Sequence, residues 1–189
     1  GECDVMLLSS EGKAVRFRED DVRAMGRTAR GVRGIKLGAG HEMISLIIPQ
    51  PGGRVLTVSE NGYGKRTEME EFPTKGRGTK GVIAMQTSER NGKLVGGVQV
   101  FDGDQLMLIS NQGTLVRTRA DEISVLGRNT QGVRVIRTKT DESLVSVERI
   151  DEPEDELELD VDGQSEPVET VASEDPAADD AAQGADDES

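Results

Sequence analysis

The sequence of 189 residues contains no tryptophan, one tyrosine, three phenylalanines, one histidine and one cysteine. A lone Cys3 excludes an internal disulfide and has no metal-binding partners, which fits a reducing compartment. His41 is equally isolated and reads as a loop residue, not a ligand. No run of about eighteen apolar residues occurs, so no segment is long enough to cross a bilayer as a helix. With Phe17, Tyr63, Phe72 and Phe101 as its whole aromatic complement, the chain is poorly equipped to stack the bases of single-stranded nucleic acid. A Gly-x-x-x-x-Gly-Lys-Ser/Thr phosphate loop is missing too, and the repeats lack the clustered acids or histidines that an enzyme site at a propeller's central channel would need. The first residue is glycine with no signal-like segment after it, so the chain reads as the C-terminal piece of something longer.

Basic residues are absent from one end only. The chain carries 36 acids and 23 bases, a formal charge of −13, yet 17 of the acids and none of the bases fall between Asp151 and Ser189. Residues 1–150 therefore hold a net charge of +4, and such asymmetry points to nucleic-acid or membrane interaction. The acidic tail lacks aromatics and most large apolar residues, so it cannot offset its conformational entropy by burial and is expected to be disordered. It reads either as a solubilising extension or as an internal electrostatic mimic of nucleic acid.

What is present is a repeat. "GRTARG" at 26–31 recurs as "GRGTKG" at 76–81 and "GRNTQG" at 127–132, a period of about fifty residues. Fifteen residues before the last glycine stand Arg16, Arg66 and Arg117; twenty-six before it, Val5, Val55 and Leu106; one after it, Val32, Val82 and Val133. Each unit contains four short segments rich in β-branched residues and bounded by Gly, Asn and Ser. The first unit has 5–8, 14–17, 31–37 and 43–48; the second 55–58, 65–67, 81–86 and 94–101; the third 106–109, 115–118, 132–137 and 144–149. Four strands per repeat predict propeller-like blades, about 4–53, 54–104 and 105–150, in an all-β fold followed by the tail at 151–189. Between the second and third segments Val22, Phe72 and Ile123 occupy one aligned apolar place, which predicts an anchored loop.

Glycines five apart suit a loop that needs positive φ or close backbone approach. The arginine between them has little apolar surface to cover. It reads either as a solvated charge or as part of a track of similar loops, one per blade. Bases gather around the loop in every repeat, which favours the track. The candidate DNA-binding residues are Arg16, Arg27 and Arg30 in the first unit, Lys65, Arg66, Arg77 and Lys80 in the second, and Arg117, Arg119 and Arg128 in the third. Spaced arginines can neutralise duplex backbone charge without reading sequence.

The strings "NGYGKRT" (61–67), "PTKGRGTKGVI" (73–83), "NGKLVGGVQV" (91–100) and "GTLVRT" with "GRNTQGV" (113–133) closely resemble the C-terminal domain of the DNA gyrase A subunit. The resemblance covers residues 4–150. It implies a β-pinwheel whose neighbouring blades exchange strand material, of which three blades are here, and duplex DNA wrapped about the rim in support of ATP-dependent negative supercoiling. The family's hallmark box, Gln-Arg-Arg-Gly-Gly-Lys-Gly, is represented only by degenerate relatives. Gly26–Gly31 and Gly76–Gly81 keep an arginine and a base before the last glycine; Gly127–Gly132 has lost that base. Also implied are a bacterial cytoplasmic location, partnership with the rest of the A subunit, with the B subunit completing an A2B2 assembly, and ATP and Mg2+ bound elsewhere in the full enzyme. This part is expected to hold no cofactor and no catalytic residue, since Tyr63 in "NGYGK" does not match the family's cleavage motif. Alternatives are the related topoisomerase IV A-subunit domain and a propeller that binds protein.

Overall fold

The computed structural model describes residues 3–150; the acidic tail expected to be disordered lies outside the described residues. Eleven strands occur among them. They are β1 (Asp4–Ser9), β2 (Lys13–Arg18), β3 (Met43–Ile47), β4 (Arg54–Ser59), β5 (Tyr63–Glu68), β6 (Val82–Ile83), β7 (Leu94–Val100), β8 (Gln105–Ser110), β9 (Leu115–Arg119), β10 (Val133–Arg134) and β11 (Leu144–Ile150). They form three antiparallel sheets in the orders β3-β1-β2-β6, β7-β4-β5-β10 and β11-β8-β9.

Each repeat begins with a hairpin. Its turn ends in Gly12, Gly62 or Gly113, all in the left-handed region at φ 80°, 78° and 82°, and each donates its N–H to a serine carbonyl three residues back. Glycine reaches that region without the Cβ penalty other residues meet. The hairpin then pairs with a strand that closes the repeat: β3 on β1, β7 on β4, β11 on β8.

The fourth strand comes from elsewhere. β6 belongs to the second repeat but pairs with β2 of the first, and β10 belongs to the third but pairs with β5 of the second. The sequence divides each blade's four strands within its own repeat; the structure borrows the outermost one from the repeat that follows. Residues 31–37, the first unit's counterpart, form no strand beyond one parallel bridge between Ile35 and Thr79. The third sheet has three strands among the described residues.

The apolar core lies between sheets. Met6, Leu8 and Ala14 pack against Val55, Met69, Phe72, Ala84, Met85 and Leu94, and Leu56, Val58 and Val100 pack against Leu106, Leu108, Ala120, Ile123, Leu144 and Val147. The loop anchors act as predicted in two repeats. After a single 3-10 turn at 69–71 and 120–122, Phe72 and Ile123 are driven into these layers, whereas Val22 is 41% exposed. Strands β3, β7 and β11 pack on one another, so they line the middle, and β6 and β10 mark the outer edge.

This arrangement explains half of the glycine spacing. The last glycine of each motif, Gly31, Gly81 or Gly132, has φ of 77°, 76° and 78°. A Cβ on Gly81 would lie 2.7 Å from the Ala14 carbonyl carbon, and one on Gly132 2.7 Å from the Gly64 carbonyl oxygen. The first glycines do not need positive φ: a Cβ at Gly26 or Gly76 meets nothing within 4 Å. Gly81→Ala should therefore lose at least about 1 kcal/mol in urea unfolding, from the left-handed penalty alone. Gly76→Ala should stay within about 0.5 kcal/mol. Equal losses at the two positions would contradict this origin of the motif.

Candidate nucleic-acid interface

The three motif loops can be followed from their anchors outward. Beyond Phe72 the chain runs parallel to β2, where Lys75 N–H donates to the Arg16 carbonyl at 2.8 Å; beyond Ile123, Leu126 N–H donates to the Arg66 carbonyl at 2.8 Å. It then leaves the sheet, makes the motif, and returns antiparallel as β6 or β10. The second and third motifs are thus excursions pinched at their base on the outer sheet edge. The first motif has one internal turn, Ala29 N–H to the Gly26 carbonyl at 3.1 Å.

The motif arginines link successive loops. Arg77 donates from Nη1 to the Arg33 carbonyl at 3.2 Å and from Nε to the Asp21 carbonyl at 2.8 Å. Arg128 donates from Nη1 to the Ile83 carbonyl at 2.7 Å, while its backbone N–H reaches the Glu71 carboxylate at 2.7 Å. Arg33 and Ile83 hold the same place, two residues after the last glycine. Arg77 and Arg128 therefore each tie their loop to the preceding one. Both remain half-exposed, and a guanidinium has five N–H donors, so outward-facing donors are left over.

Three of the candidate DNA-binding residues turn inward, which corrects their reading as surface contacts. Arg16 pairs with Asp4 at 2.7 Å and donates to the Met69 and Phe72 carbonyls at 3.1 and 3.2 Å. Arg66 repeats the arrangement a blade later, donating to the Ile123 and Asp121 carbonyls at 2.7 and 3.2 Å and to Asp102 at 3.0 Å. These arginines hold the anchor of the following repeat, and their planar fork suits carbonyls at two heights.

Lys65, at 0% exposure, is the most enclosed base in the chain. Its Nζ donates to the Gly127 and Arg128 carbonyls at 2.7 and 2.6 Å and to Thr130 Oγ1 at 3.0 Å, pinning the third motif from beneath. All three ammonium hydrogens are used. Burial holds its pKa down to about 8.

The remaining candidates face solvent. Arg27, Arg30 and Lys80 are exposed. Arg117 is exposed and donates to Gln105, and Arg119 forms a two-pronged pair with Asp121 at 3.0 and 2.8 Å. Arg23, Arg33, Lys36 and Lys75, also exposed, lie along the same loops.

One cluster escaped the sequence reading. Arg90 and Arg134 lie over the ring of Tyr63, with Cζ 5.1 and 5.2 Å from its centroid. Both donate to its hydroxyl, at 3.2 Å from Nε of Arg90 and 2.9 Å from Nη2 of Arg134. The hydrogen bonds from Arg134 and then Arg90 lower the pKa of the phenol. These residues are 27 and 71 positions from Tyr63, and no local spacing announces the contact.

Sheets completed by the next repeat, packed face to face about their innermost strands and bearing basic loops on the outer edge, define a strand-exchanged propeller. The family model described as DNA gyrase C-terminal domain, beta-propeller, matches residues 4–50, 53–100 and 104–151, and the chain belongs to that family. It is 60% identical over 164 residues to the DNA gyrase A subunit of Salmonella typhimurium strain LT2, covering 86% of this chain and 19% of that protein. It is 58% identical over 166 residues to the DNA gyrase A subunit of Escherichia coli strain K12, covering 87% and 19%. The chain thus spans about a fifth of the length of the curated relatives it matches. A solved DNA gyrase A C-terminal domain superposes with a TM-score of 0.73 at 32% identity, covering 78% of this chain and 50% of that one. The C-terminal domain of a DNA topoisomerase IV superposes with a TM-score of 0.74 at 22% identity, over 79% and 47%, a likeness of fold alone.

The Lys65 pin has a testable pH signature. The folded chain gives up this proton near pH 8 and the unfolded chain near its ordinary 10.5, so the unfolded state binds more protons between them. The stability of the chain relative to Lys65→Met should rise as pH climbs through that window, reach its full gain above it and lose the gain below it. Urea midpoints of the two proteins across the window measure this. A constant difference would mean the ammonium is not enclosed as described.

Proposed function

We propose that this chain is the DNA-wrapping part of a gyrase A subunit, binding duplex DNA along its outer edge without sequence preference and bending it. The observation that carries the reading is the set of three homologous loops, none with an aromatic residue: Arg27 and Arg30 are exposed in the first, Lys75 and Lys80 in the second, and Arg128 is half-exposed in the third. Phosphate contacts of this kind position a duplex without specifying its sequence.

Bending 20–30 bp through 40–90° costs on the order of 1–6 kcal/mol by elastic estimates. Counterion release from several phosphates is large enough to offset that. In this reading the three units, about 4–53, 54–104 and 105–150, each supply one station of the wrap. The chain serves a larger ATP-dependent type IIA topoisomerase in the bacterial cytoplasm, its partners being the rest of the A subunit together with the B subunit. ATP, Mg2+ and strand cleavage belong to those other parts. The tail, with 17 acids and no base, acts on the wrap by competing for the basic edge at high effective concentration.

Duplex affinity measured across a salt series tests the first part. Arg27→Ala, Arg30→Ala and Lys80→Ala should each weaken binding alike on unrelated sequences and flatten the slope of log K against log salt by about 0.9. Unchanged slopes in all three would sink the loop track. Arg66→Ala should instead lower the urea midpoint, because it strands two carbonyls and leaves Asp102 with Arg54 alone.

Deleting 151–189 should tighten duplex binding at low salt and matter less as salt rises. Equal affinity with and without these residues would remove the competitive role.

A further inference from the structure

Outside the motif loops, two guanidiniums are brought together on one tyrosine without an ion pair to an acid among the described residues. Arg90 and Arg134 both donate to the Tyr63 hydroxyl, at 3.2 and 2.9 Å, which keeps these two donors within about 6 Å of each other. Neither guanidinium forms an ion pair with a carboxylate among the described residues. Elsewhere Arg16, Arg54, Arg66 and Arg119 each pair with an acid.

The cluster is built, not incidental. Tyr63 is 3% exposed and forms the start of β5, where its backbone pairs with Arg134 in β10. The loop carrying Arg90 is clamped twice. Asn61 Nδ2 donates to the Glu89 and Arg90 carbonyls at 3.2 Å each. The fully buried Asn91 donates to the Gln86 and Gln131 carbonyls at 2.7 and 3.2 Å and accepts from Ser88 N–H and Oγ at 2.8 and 3.1 Å. Two exposed guanidiniums are thus held together over an aromatic face at the junction of the second and third repeats.

Two like charges so close repel unless an anion lies between them. Each guanidinium spends one N–H on the phenol and keeps others in a planar fork that matches phosphate oxygens. We infer that Tyr63, Arg90 and Arg134 form a phosphate-binding site, with Tyr63 as the positioning residue that aims both arginines. The nearest source is a backbone phosphate of the duplex, in which case the site deepens the reading under Proposed function; free phosphate offers the same chemistry. Nothing equivalent exists in the other repeats, because Lys13 and Thr114 stand where Tyr63 does and Arg33 and Ile83 where Arg134 does.

The test exploits the composition. Tyr63 is the only tyrosine and there is no tryptophan, so tyrosine emission reports this site alone. The full 189-residue chain is titrated with inorganic phosphate, with chloride at matched ionic strength and with duplexes of two unrelated sequences, beside Arg90→Gln, Arg134→Gln and the double variant. Both substitutions are at exposed positions. The site predicts that phosphate and duplex change the emission while chloride does not, and that the double variant loses the response. It also predicts a salt slope flatter by about 0.9 in the double variant, the equivalent of one phosphate. Emission unmoved by both ligands, or moved equally in the double variant, overturns the site. If the duplex fails to bind but phosphate moves Tyr63 through the two arginines, the site stands with free phosphate as its ligand and the wrapping reading falls. If the duplex binds with the same slope in the double variant and phosphate is silent, wrapping stands and the site falls.

Discussion

The fold depends on the first and second sheets each being finished by the repeat that follows. β2 and β5 would otherwise expose a row of unpaired backbone groups, which sheet proteins must cover or pair. Here the following repeat covers the edge in two stages: parallel at Lys75 and Leu126, then antiparallel at β6 and β10. Between the stages the chain must turn outward and come back, and the Gly-Arg-x-x-x-Gly motif is that excursion. Strand exchange thus creates the protruding loop and fixes its place on the outer edge.

The same exchange decides what the arginines do. A buried guanidinium is costly unless its donors are met, and the exchanged segment brings backbone carbonyls to Arg16 and Arg66 at the right heights. Those bases became part of the joint between blades. The motif arginines Arg77 and Arg128 stand between the two roles, spending some donors on the preceding loop and presenting the rest to solvent. Lys65 goes further inward because Tyr63 and Gly64 pair with β10 beside it, which puts its ammonium under the third motif.

The repeat period, the all-β class and the motif loops were legible because they are written locally: alternating apolar residues, turn glycines and a spacing of about fifty. Which repeat owns the outer strand was not written in the residues themselves, since the segment at 81–86 has the same pattern whichever edge it joins; only the family resemblance implied an exchange between blades. The inward fate of Arg16, Lys65 and Arg66 was hidden for a related reason. Their carbonyl partners lie 53 to 63 residues away, and carbonyls carry no sequence signature. Val22 shows the converse: it shares an aligned apolar position with Phe72 and Ile123 but stays exposed, because among the described residues no sheet of a preceding repeat receives it.

In the proposed wrapping role, a surface that bends a stiff duplex must itself resist bending. If the loops were free to move, phosphate contacts would be met by the protein yielding, and no curvature would be imposed on the DNA. The ties between successive loops answer that requirement: the Arg77 and Arg128 donors, the Lys65 ammonium and the left-handed glycines set each loop against the one before it. Bases that look misspent on carbonyls thereby give the exposed ones a fixed spacing to work from. The division of labour also separates two ways of failing, since losing an inward base should loosen the edge while losing an outward one should weaken its grip on phosphate.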